Sequence, residues 1–393
     1  MYIKKNIAVM YAMALLQGMI FYGPVATLYM QAAGVGIFEI TLIESLSLGL
    51  CVALELPCGI LADKIGYKNM LLGCSGLYFL SKIVFWQASG FWMFLCERLM
   101  LSAVMAGLSG IDTSILYLSC PPNKTQRVFG AYYNLNTAGL LAAAGVYALF
   151  VGDNYRLAGL LTVISYGAAA VLALLITDVK PPKKCPGAEL REFKSILRSA
   201  AKDPGLIMLA AGAALLNETH QTVTVFLNQL QYVRAGMDNR TIGTVYIAVT
   251  LTGLVGAFSA RATARLGEKR LGCALFGLCA AACIVMAATA NPLLSAASVI
   301  VLRAAFSLFT PLQTQLQNRR ISSSNRATAL SVNAVMMEGV AIATNLAFGA
   351  AADSSVSLAM ALGAALCGVG ALLFAASLRP PHIPEDKKAT AAE

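Results

Sequence analysis

Charged residues are scarce in this 393-residue sequence, at 12% against roughly a quarter of the residues in soluble domains. Hydrophobic residues make up 58%, and the mean hydropathy is +0.70. A soluble globular domain is therefore excluded, because the chain has too little polar surface to face water on all sides. This composition is typical of a protein that crosses a membrane many times.

Motifs for nucleotide, metal or hydrolytic chemistry are also missing. The chain has two histidines and contains no P-loop, H-E-x-x-H pair, Cys-His cluster or nucleophile elbow. We therefore expect no direct use of ATP and no enzymatic activity, and we predict no cofactor and no metal site. The ten cysteines fall within apolar stretches or near their ends, so no structural disulfide is expected.

Long apolar stretches fill most of the sequence. Each is about 20 residues long, which is enough to cross the hydrocarbon core of a bilayer. We predict an all-α membrane protein with twelve transmembrane helices. The predicted spans are 7–30, 38–62, 70–88, 91–117, 128–151, 155–176, 206–233, 241–260, 271–288, 293–317, 327–352 and 356–378.

The net charge of +10 is explained by topology rather than by a nucleic-acid partner. Most of the 29 Lys and Arg residues lie in the segments on one side of the predicted spans. Because cytoplasmic loops carry an excess of Lys and Arg, we expect both termini in the cytoplasm and contacts with anionic membrane lipids. The first span is too long for a signal peptide, so we expect a multi-pass protein of the inner membrane.

A short segment with glycines and charges joins the second and third spans. Gly59 allows a close approach between helices, and Gly66 turns the chain. Asp63 offers a negative charge to a helix N-terminus, whereas Lys64 and Lys68 hold the turn in the cytoplasm. These features predict a tight cytoplasmic turn between two membrane helices. The segment reads GILADKIGYKN over residues 59–69.

This segment resembles the loop between helices two and three of the major facilitator superfamily of secondary transporters, which reads G-x-x-x-D-x-x-G-x-K/R-K/R. The match departs from that pattern at Asn69. The resemblance implies alternating access between two bundles, with Asp63 stabilising the outward-facing state against the start of span eleven. Glu55 and Asp112, near the cytoplasmic ends of their spans, are expected to join the gate by pairing with nearby cations.

An internal repeat divides the spans into two pseudo-symmetric six-helix bundles, as in duplicated transporter halves. Gly66 corresponds to Gly267, and Arg98 in span four corresponds to Arg303 in span ten. The predicted parts are an N-terminal bundle (1–177), a linker with an amphipathic helix (178–205), a C-terminal bundle (206–378) and a cytoplasmic tail (379–393).

Four charged residues are expected to form a network in the outer half of the N-terminal bundle. Lys82 and Glu97 lie at similar distances from the turn between spans three and four, with Arg98 adjacent and Glu44 at a similar depth. Because a charge inside a bilayer costs several kcal/mol, such residues have either a structural or a functional partner. A structural ion cluster and a relay for protons or substrate both remain open.

A second group of polar residues lies near the predicted midplane. The resemblance places spans one, four, seven and ten around a central cavity, so Glu218 and Arg303 are expected to face the substrate or each other. We expect Glu218 or Glu338 to carry a coupling proton, with Glu44 and Glu97 as further candidates. The candidate substrate-binding residues are Arg98, Arg303, His220, Asn217, Gln17, Tyr22, Gln221 and Gln313.

The sequence therefore predicts a proton-coupled transporter, a monomer, that exports small amphipathic organic compounds by alternating access. One alternative is an importer or exchanger of small organic anions, in which Arg98 and Arg303 clamp a carboxylate or a phosphate. A second alternative is a membrane receptor or scaffold that transports nothing, although buried acids have no purpose in such a protein.

Overall fold

Helices make up nearly all of the described chain, because backbone groups inside lipid must form their hydrogen bonds within their own segment. The computed structural model describes residues 4–121, 124–179, 204–320 and 326–378, and within these ranges it contains no strand. Most of the predicted linker (180–203) and the predicted tail (379–393) lie outside the described residues. The division into the four predicted parts stays a proposal.

The first half consists of six helices, all long and apolar enough to cross a membrane by length and composition. Three of them contain irregular turns. Helix α1 includes the 3-10 turn Gly23–Val25, α4 is interrupted at Gly110, and α5 ends in the π-helical turn Tyr147–Val151. The helices are α1 (Lys4–Ala32), α2 (Ile37–Ile65), α3 (Tyr67–Gln87), α4 (Gly90–Ser119), α5 (Thr125–Val151) and α6 (Tyr155–Ala173).

The second half also consists of six helices. Five of them belong to the eleven helices of the described chain that are long and apolar enough to span. The remaining one, α7, runs through Pro204–Gln221, a π-helical turn at Thr222–Leu227, and Asn228–Arg234. The other helices are α8 (Asn239–Leu266), α9 (Glu268–Ala288), α10 (Pro292–Arg320), α11 (Arg326–Ser354) and α12 (Val356–Ser377).

The predicted repeat is visible in the turns of the two halves. Gly66 ends α2 with φ 87° and ψ 153°, and Gly267 ends α8 with φ 79° and ψ 153°. Gly34 and Gly236, after α1 and α7, also have positive φ, at 89° and 77°. Glycine adopts this backbone conformation without the steric cost that a side chain adds. Equivalent glycines therefore make equivalent turns in both halves.

Glycines also let helices within a half approach each other closely, which is the usual mode of helix packing in membranes. Gly18 of α1 faces the backbone of Asn136 in α5, and Gly139 of α5 faces the backbone of Leu15. In the second half, Gly212 of α7 and Gly370 of α12 pack against each other in the same way. Each half is therefore tied together by backbone contacts that leave no room for a side chain.

We expect Gly139→Ala to destabilise the protein by about 1–3 kcal/mol, as overpacking does elsewhere. An added Cβ would press on the carbonyl oxygen of Leu15 and lie 3.2 Å from the Cα of Gly18, so α1 and α5 would have to separate. Thermal unfolding in detergent measures the effect. The matched control is Gly145→Ala on the same helix, where a Cβ meets nothing within 4 Å. Equal stability of the two variants would contradict the close-packing account.

The two halves meet along α2 and α11, near one end of the molecule. Ser45 donates a hydrogen bond to the carbonyl oxygen of Ile342, and Gly349 packs against the side chain of Thr41. Lys4 and Ser377, the first and last helical residues described, lie at the opposite end, which we call the terminus face. We call the end where α2 and α11 meet the far face. The helix ends at the terminus face are more open, since Gly59 and Asp63 are exposed on α2.

Candidate functional site

A cavity of about 560 Å³ lies between the first half and α8. Its wall combines tyrosine hydroxyls, amides and one carboxylate with aliphatic side chains, a lining that suits a small amphipathic ligand. Gln17, a predicted substrate-binding residue, is part of this wall. The lining residues are Gln17, Gly18, Ile20, Tyr78, Met105, Leu108, Ser109, Gly110, Asp112, Tyr132, Asn136, Leu140, Tyr166 and Tyr246.

Asp112 reaches the cavity because α4 is interrupted beside it. Gly110 has φ 76°, and the second segment of the helix begins at Ile111. The Asp112 carboxylate accepts hydrogen bonds from the Tyr132 hydroxyl (3.2 Å) and from the backbone N–H of Thr113 (2.7 Å). The prediction paired Asp112 with gate cations; the structure instead gives it a tyrosine partner and a place on the cavity wall.

Lys82 and Glu97 form an ion pair inside the first half. Their side chains are 4% and 5% exposed, and Nζ lies 3.0 Å from Oε1. Lys82 also donates to the hydroxyl of Tyr22 at 3.1 Å, and it faces the rings of Tyr78 and Tyr166. This arrangement favours the structural interpretation of the pair. Tyr22 packs in the core of this half, which corrects its predicted substrate-binding position.

Tyr22 also stacks on Phe85, with ring centroids 4.0 Å apart. It follows the end of the first segment of α1 at Gly18 and precedes the 3-10 turn at Gly23. These contacts hold Tyr22 within the first half, and it does not line the cavity described above.

Arg98 and Glu44 form a second ion pair, between α4 and α2. Glu97 also lies within electrostatic range of Arg98, so the four residues of the predicted outer network are neighbours. Glu44 in turn lies within electrostatic range of Glu338 on α11 and Glu218 on α7. Three carboxylates and one arginine therefore lie near each other where the two halves meet.

Glu218 is the most buried of the acids on the second half, at 6% exposed. Asn217 Nδ2 donates to Glu218 Oε1 at 3.0 Å, and Glu338 lies within electrostatic range. Two predicted substrate-binding residues near Glu218 on α7 differ in exposure: Asn217 is half-buried, whereas Gln221 is exposed. Glu218 thus sits in an interior position without a described salt bridge, which is the environment that a proton carrier requires.

Arg303 of α10 faces α7 and α8. Its Nη1 is 3.3 Å from His220 Nε2, and the His220 ring stacks on Phe306 with centroids 3.8 Å apart. Tyr246 of α8 lies within electrostatic range of Arg303 and also lines the cavity. The predicted clamp of Arg98 with Arg303 is not observed as a pair, because Arg98 binds Glu44.

Gln313 is buried, whereas most of the gating residues on α2 are exposed. Gln313 is 8% exposed, and its Nε2 lies 3.6 Å from the Sδ of Met337 on α11. At the terminus-face end of α2, Glu55, Gly59, Asp63 and Lys64 are exposed, whereas Gly66 and Lys68 are half-buried. Their gating roles stay predictions.

The far face is closed by contacts between the halves. The Gln229 side-chain oxygen on α7 accepts hydrogen bonds from the backbone N–H groups of Thr27 (2.9 Å) and Leu28 (3.3 Å) on α1. Asn239 donates to Asp153 at 2.7 Å on the same face. Gln229 is 2% exposed, so this contact is shielded from solvent. The conformation in the structure is therefore closed at the far face, whereas the end of α2 at the terminus face is exposed.

Sequence reasoning did not single out Tyr246, Phe306 and Tyr132 for the site. A tyrosine or phenylalanine in an apolar stretch carries no local signal of function, since most such residues pack in the core. The best available signal was the amide of Gln229, because a buried amide needs hydrogen-bond partners.

Comparison with known proteins identifies the fold. The sequence matches the family model described as Major Facilitator Superfamily over residues 7–346. No curated protein matched the chain in sequence.

Solved structures match the chain over nearly its whole length. A mutant of the nucleoside transporter NupG has a TM-score of 0.81 at 17% identity, over 95% of this chain and 100% of that chain. The POT family transporter PepTSo has 0.75 at 13%, over 96% and 98%. The D-xylose-proton symporter has 0.73 at 13%, over 98% and 99%. At these identities the similarity shows the shared fold, and the substrate has to be argued from the site.

Proposed function

We propose that this chain, which belongs to the major facilitator superfamily, is a proton-coupled secondary active transporter of small amphipathic organic compounds. The two halves rock about the cavity, which opens to one face at a time. Export in exchange for protons is the direction that we propose. The protein acts as a monomer in the inner membrane.

Buried carboxylates carry this proposal. Glu218 is 6% exposed and accepts a hydrogen bond from Asn217. Glu338 and Glu44 lie within electrostatic range of it, where the two halves meet. An ionised acid in this position is costly, so it is stabilised by taking up a proton or a cation. Movement of the halves changes its surroundings, which supports loading on one side and release on the other.

The distribution of cations supports an orientation with the terminus face in the cytoplasm. Lys64 and Arg265 lie at that face, at the ends of α2 and α8. In this orientation the side that is closed by Gln229 faces outward. The exposed position of Asp63 agrees with a latch that engages in the outward-facing state.

Proton movement in liposomes tests the proposal. Purified protein is challenged with lipophilic cations, neutral drugs and organic anions while the internal pH is recorded. Movement of protons against the solute, seen with at least one compound, supports antiport. Movement of protons with the solute would establish symport and import, and no proton movement with any compound would favour a receptor or scaffold.

We expect Gln229→Leu to loosen the far-face seal. The change removes the acceptor of the Thr27 and Leu28 N–H groups, so these two groups lose their partner. Hydrogen–deuterium exchange of peptides covering 26–32 should become faster by about tenfold or more, which corresponds to about 1.4 kcal/mol. Gln221→Leu, at an exposed position on the same helix, is the control. Unchanged exchange in Gln229→Leu would contradict the role of this contact as a gate.

A further inference from the structure

Arg303 differs from Lys82 and Arg98, two other cations that lie within helices. Lys82 pairs with Glu97, and Arg98 pairs with Glu44. Among the described residues, no carboxylate lies within salt-bridge distance of Arg303, and its described electrostatic neighbours are His220 and Tyr246. A positive charge inside a bilayer costs several kcal/mol unless a negative group compensates it. Arg303 is thus a half-buried cation to which the described residues supply no carboxylate partner.

His220 orients Arg303 without neutralising it. A guanidinium only donates hydrogen bonds, so His220 Nε2 must be the acceptor of the 3.3 Å contact, and the ring proton lies on Nδ1. Nδ1 is buried and has no hydrogen-bond partner in the structure. The stacking of the ring on Phe306 fixes its plane. The imidazole is therefore a neutral support for the arginine.

The guanidinium is held in place from two sides. Nη1 contacts His220, and Nη2 packs against Gly253 of α8, where an added Cβ would lie 2.9 Å from it. Tyr246, two helical turns before Gly253 on α8, lies within electrostatic range of the guanidinium and lines the cavity. Arg303 is half-buried and thus lies next to a residue of the cavity wall.

We propose that the substrates are small organic anions and that Arg303 binds their acidic group, a carboxylate or a phosphate. The planar fork of N–H donors on arginine matches two oxygens of either group. The tyrosines and amides of the cavity contact the remainder of the molecule. This inference rests on the proposed transport function and specifies its substrate class. Arg98 takes no part, because Glu44 already compensates it.

Ligand-dependent stabilisation of the purified protein tests the inference. Benzoate and glucose 6-phosphate are the anionic probes, benzamide and glucose are their neutral counterparts, and tetraphenylphosphonium is the cation. We expect at least one anion to raise the unfolding temperature of the wild type more than its neutral counterpart. The two anions distinguish a carboxylate from a phosphate substrate.

Two variants examine the arginine directly. In Arg303→Gln the anion should bind about 10- to 100-fold more weakly, because a charged hydrogen-bonding group is lost, and Arg303→Lys should retain part of the affinity. Arg265→Gln, an exposed position at the end of α8, is the control for lost charge. Gly253→Ala keeps the charge but displaces the guanidinium, so it should weaken anion binding as well. Its control is Gly277→Ala, where a Cβ meets nothing within 4 Å.

The inference is overturned if Arg303→Gln binds the anions as the wild type does, or if the wild type responds only to neutral or cationic probes. Proton movement distinguishes this failure from a failure of the proposed function. If neutral or cationic probes evoke proton movement that Arg303→Gln leaves intact, proton-coupled transport stands and the anionic substrate class is wrong. If no probe evokes proton movement but anion binding depends on Arg303, the site stands and proton coupling is wrong.

Discussion

Lys82→Met is expected to destabilise the folded protein by about 3–5 kcal/mol, the cost of removing one partner of a buried ion pair. The change removes the salt-bridge partner of Glu97, whose side chain is 5% exposed, and takes a donor from the Tyr22 hydroxyl. Thermal or denaturant unfolding in detergent measures the loss. Because the pair lies inside the first half, transport by the surviving folded protein should be far less affected than stability.

Two further variants test whether the loss of stability comes from the unpaired charge and from its burial. Lys82→Met combined with Glu97→Leu removes both charges and should recover much of the lost stability, since apolar replacements of a buried pair are often neutral. Arg319→Gln breaks the pair with Glu268, whose side chains are 57% and 29% exposed, and should cost less than about 1 kcal/mol. A double variant as unstable as the single one would contradict the structural interpretation.

Glu218→Gln is expected to abolish coupling between protons and substrate. Glutamine retains the shape and the hydrogen-bonding capacity toward Asn217, but it cannot release a proton at any accessible pH. Substrate exchange between equal concentrations on both sides should continue, whereas accumulation driven by a pH gradient should fall at least about tenfold, to the background level. Both quantities are measured on the same proteoliposomes.

Two acids serve as comparisons for Glu218. Asp353→Asn, at an exposed position near the end of α11, should leave coupling intact. Glu338→Gln should reduce coupling less than Glu218→Gln, because Glu338 is only half-buried. The reverse order, with coupling retained in Glu218→Gln and lost in Glu338→Gln, would identify Glu338 as the carrier and contradict the assignment to Glu218.

The sequence predicted features that depend on local pattern. Long apolar stretches predict spans, and glycines with positive φ recur at equivalent turns, as Gly66 and Gly267 show. Lys82 and Glu97 were predicted as neighbours because they lie at equal depth on helices joined by a short turn, and the structure places them 3.0 Å apart. These relations depend on distance along the chain, which the sequence records.

Some contacts depend on how each helix is rotated about its axis and on which residues of other helices face it. Such contacts could not be predicted in this way. The approach of Tyr246 to Arg303, and of Gln229 to Thr27, joins residues from distant helices whose orientation is set by packing. The sequence also did not predict the interruption of α4 at Gly110, which lies beside Asp112 on the cavity wall.

Gradient-driven transport tests the central claim most directly. Proteoliposomes containing the wild type, with the internal pH lower than the external pH, are given an organic anion or amphipathic compound that binds, and solute uptake and internal pH are recorded together. The account predicts that solute accumulates against its own gradient while protons leave, and that both movements stop in Glu218→Gln. Equal solute uptake with and without the pH gradient, at an unchanged internal pH, would contradict proton-coupled transport.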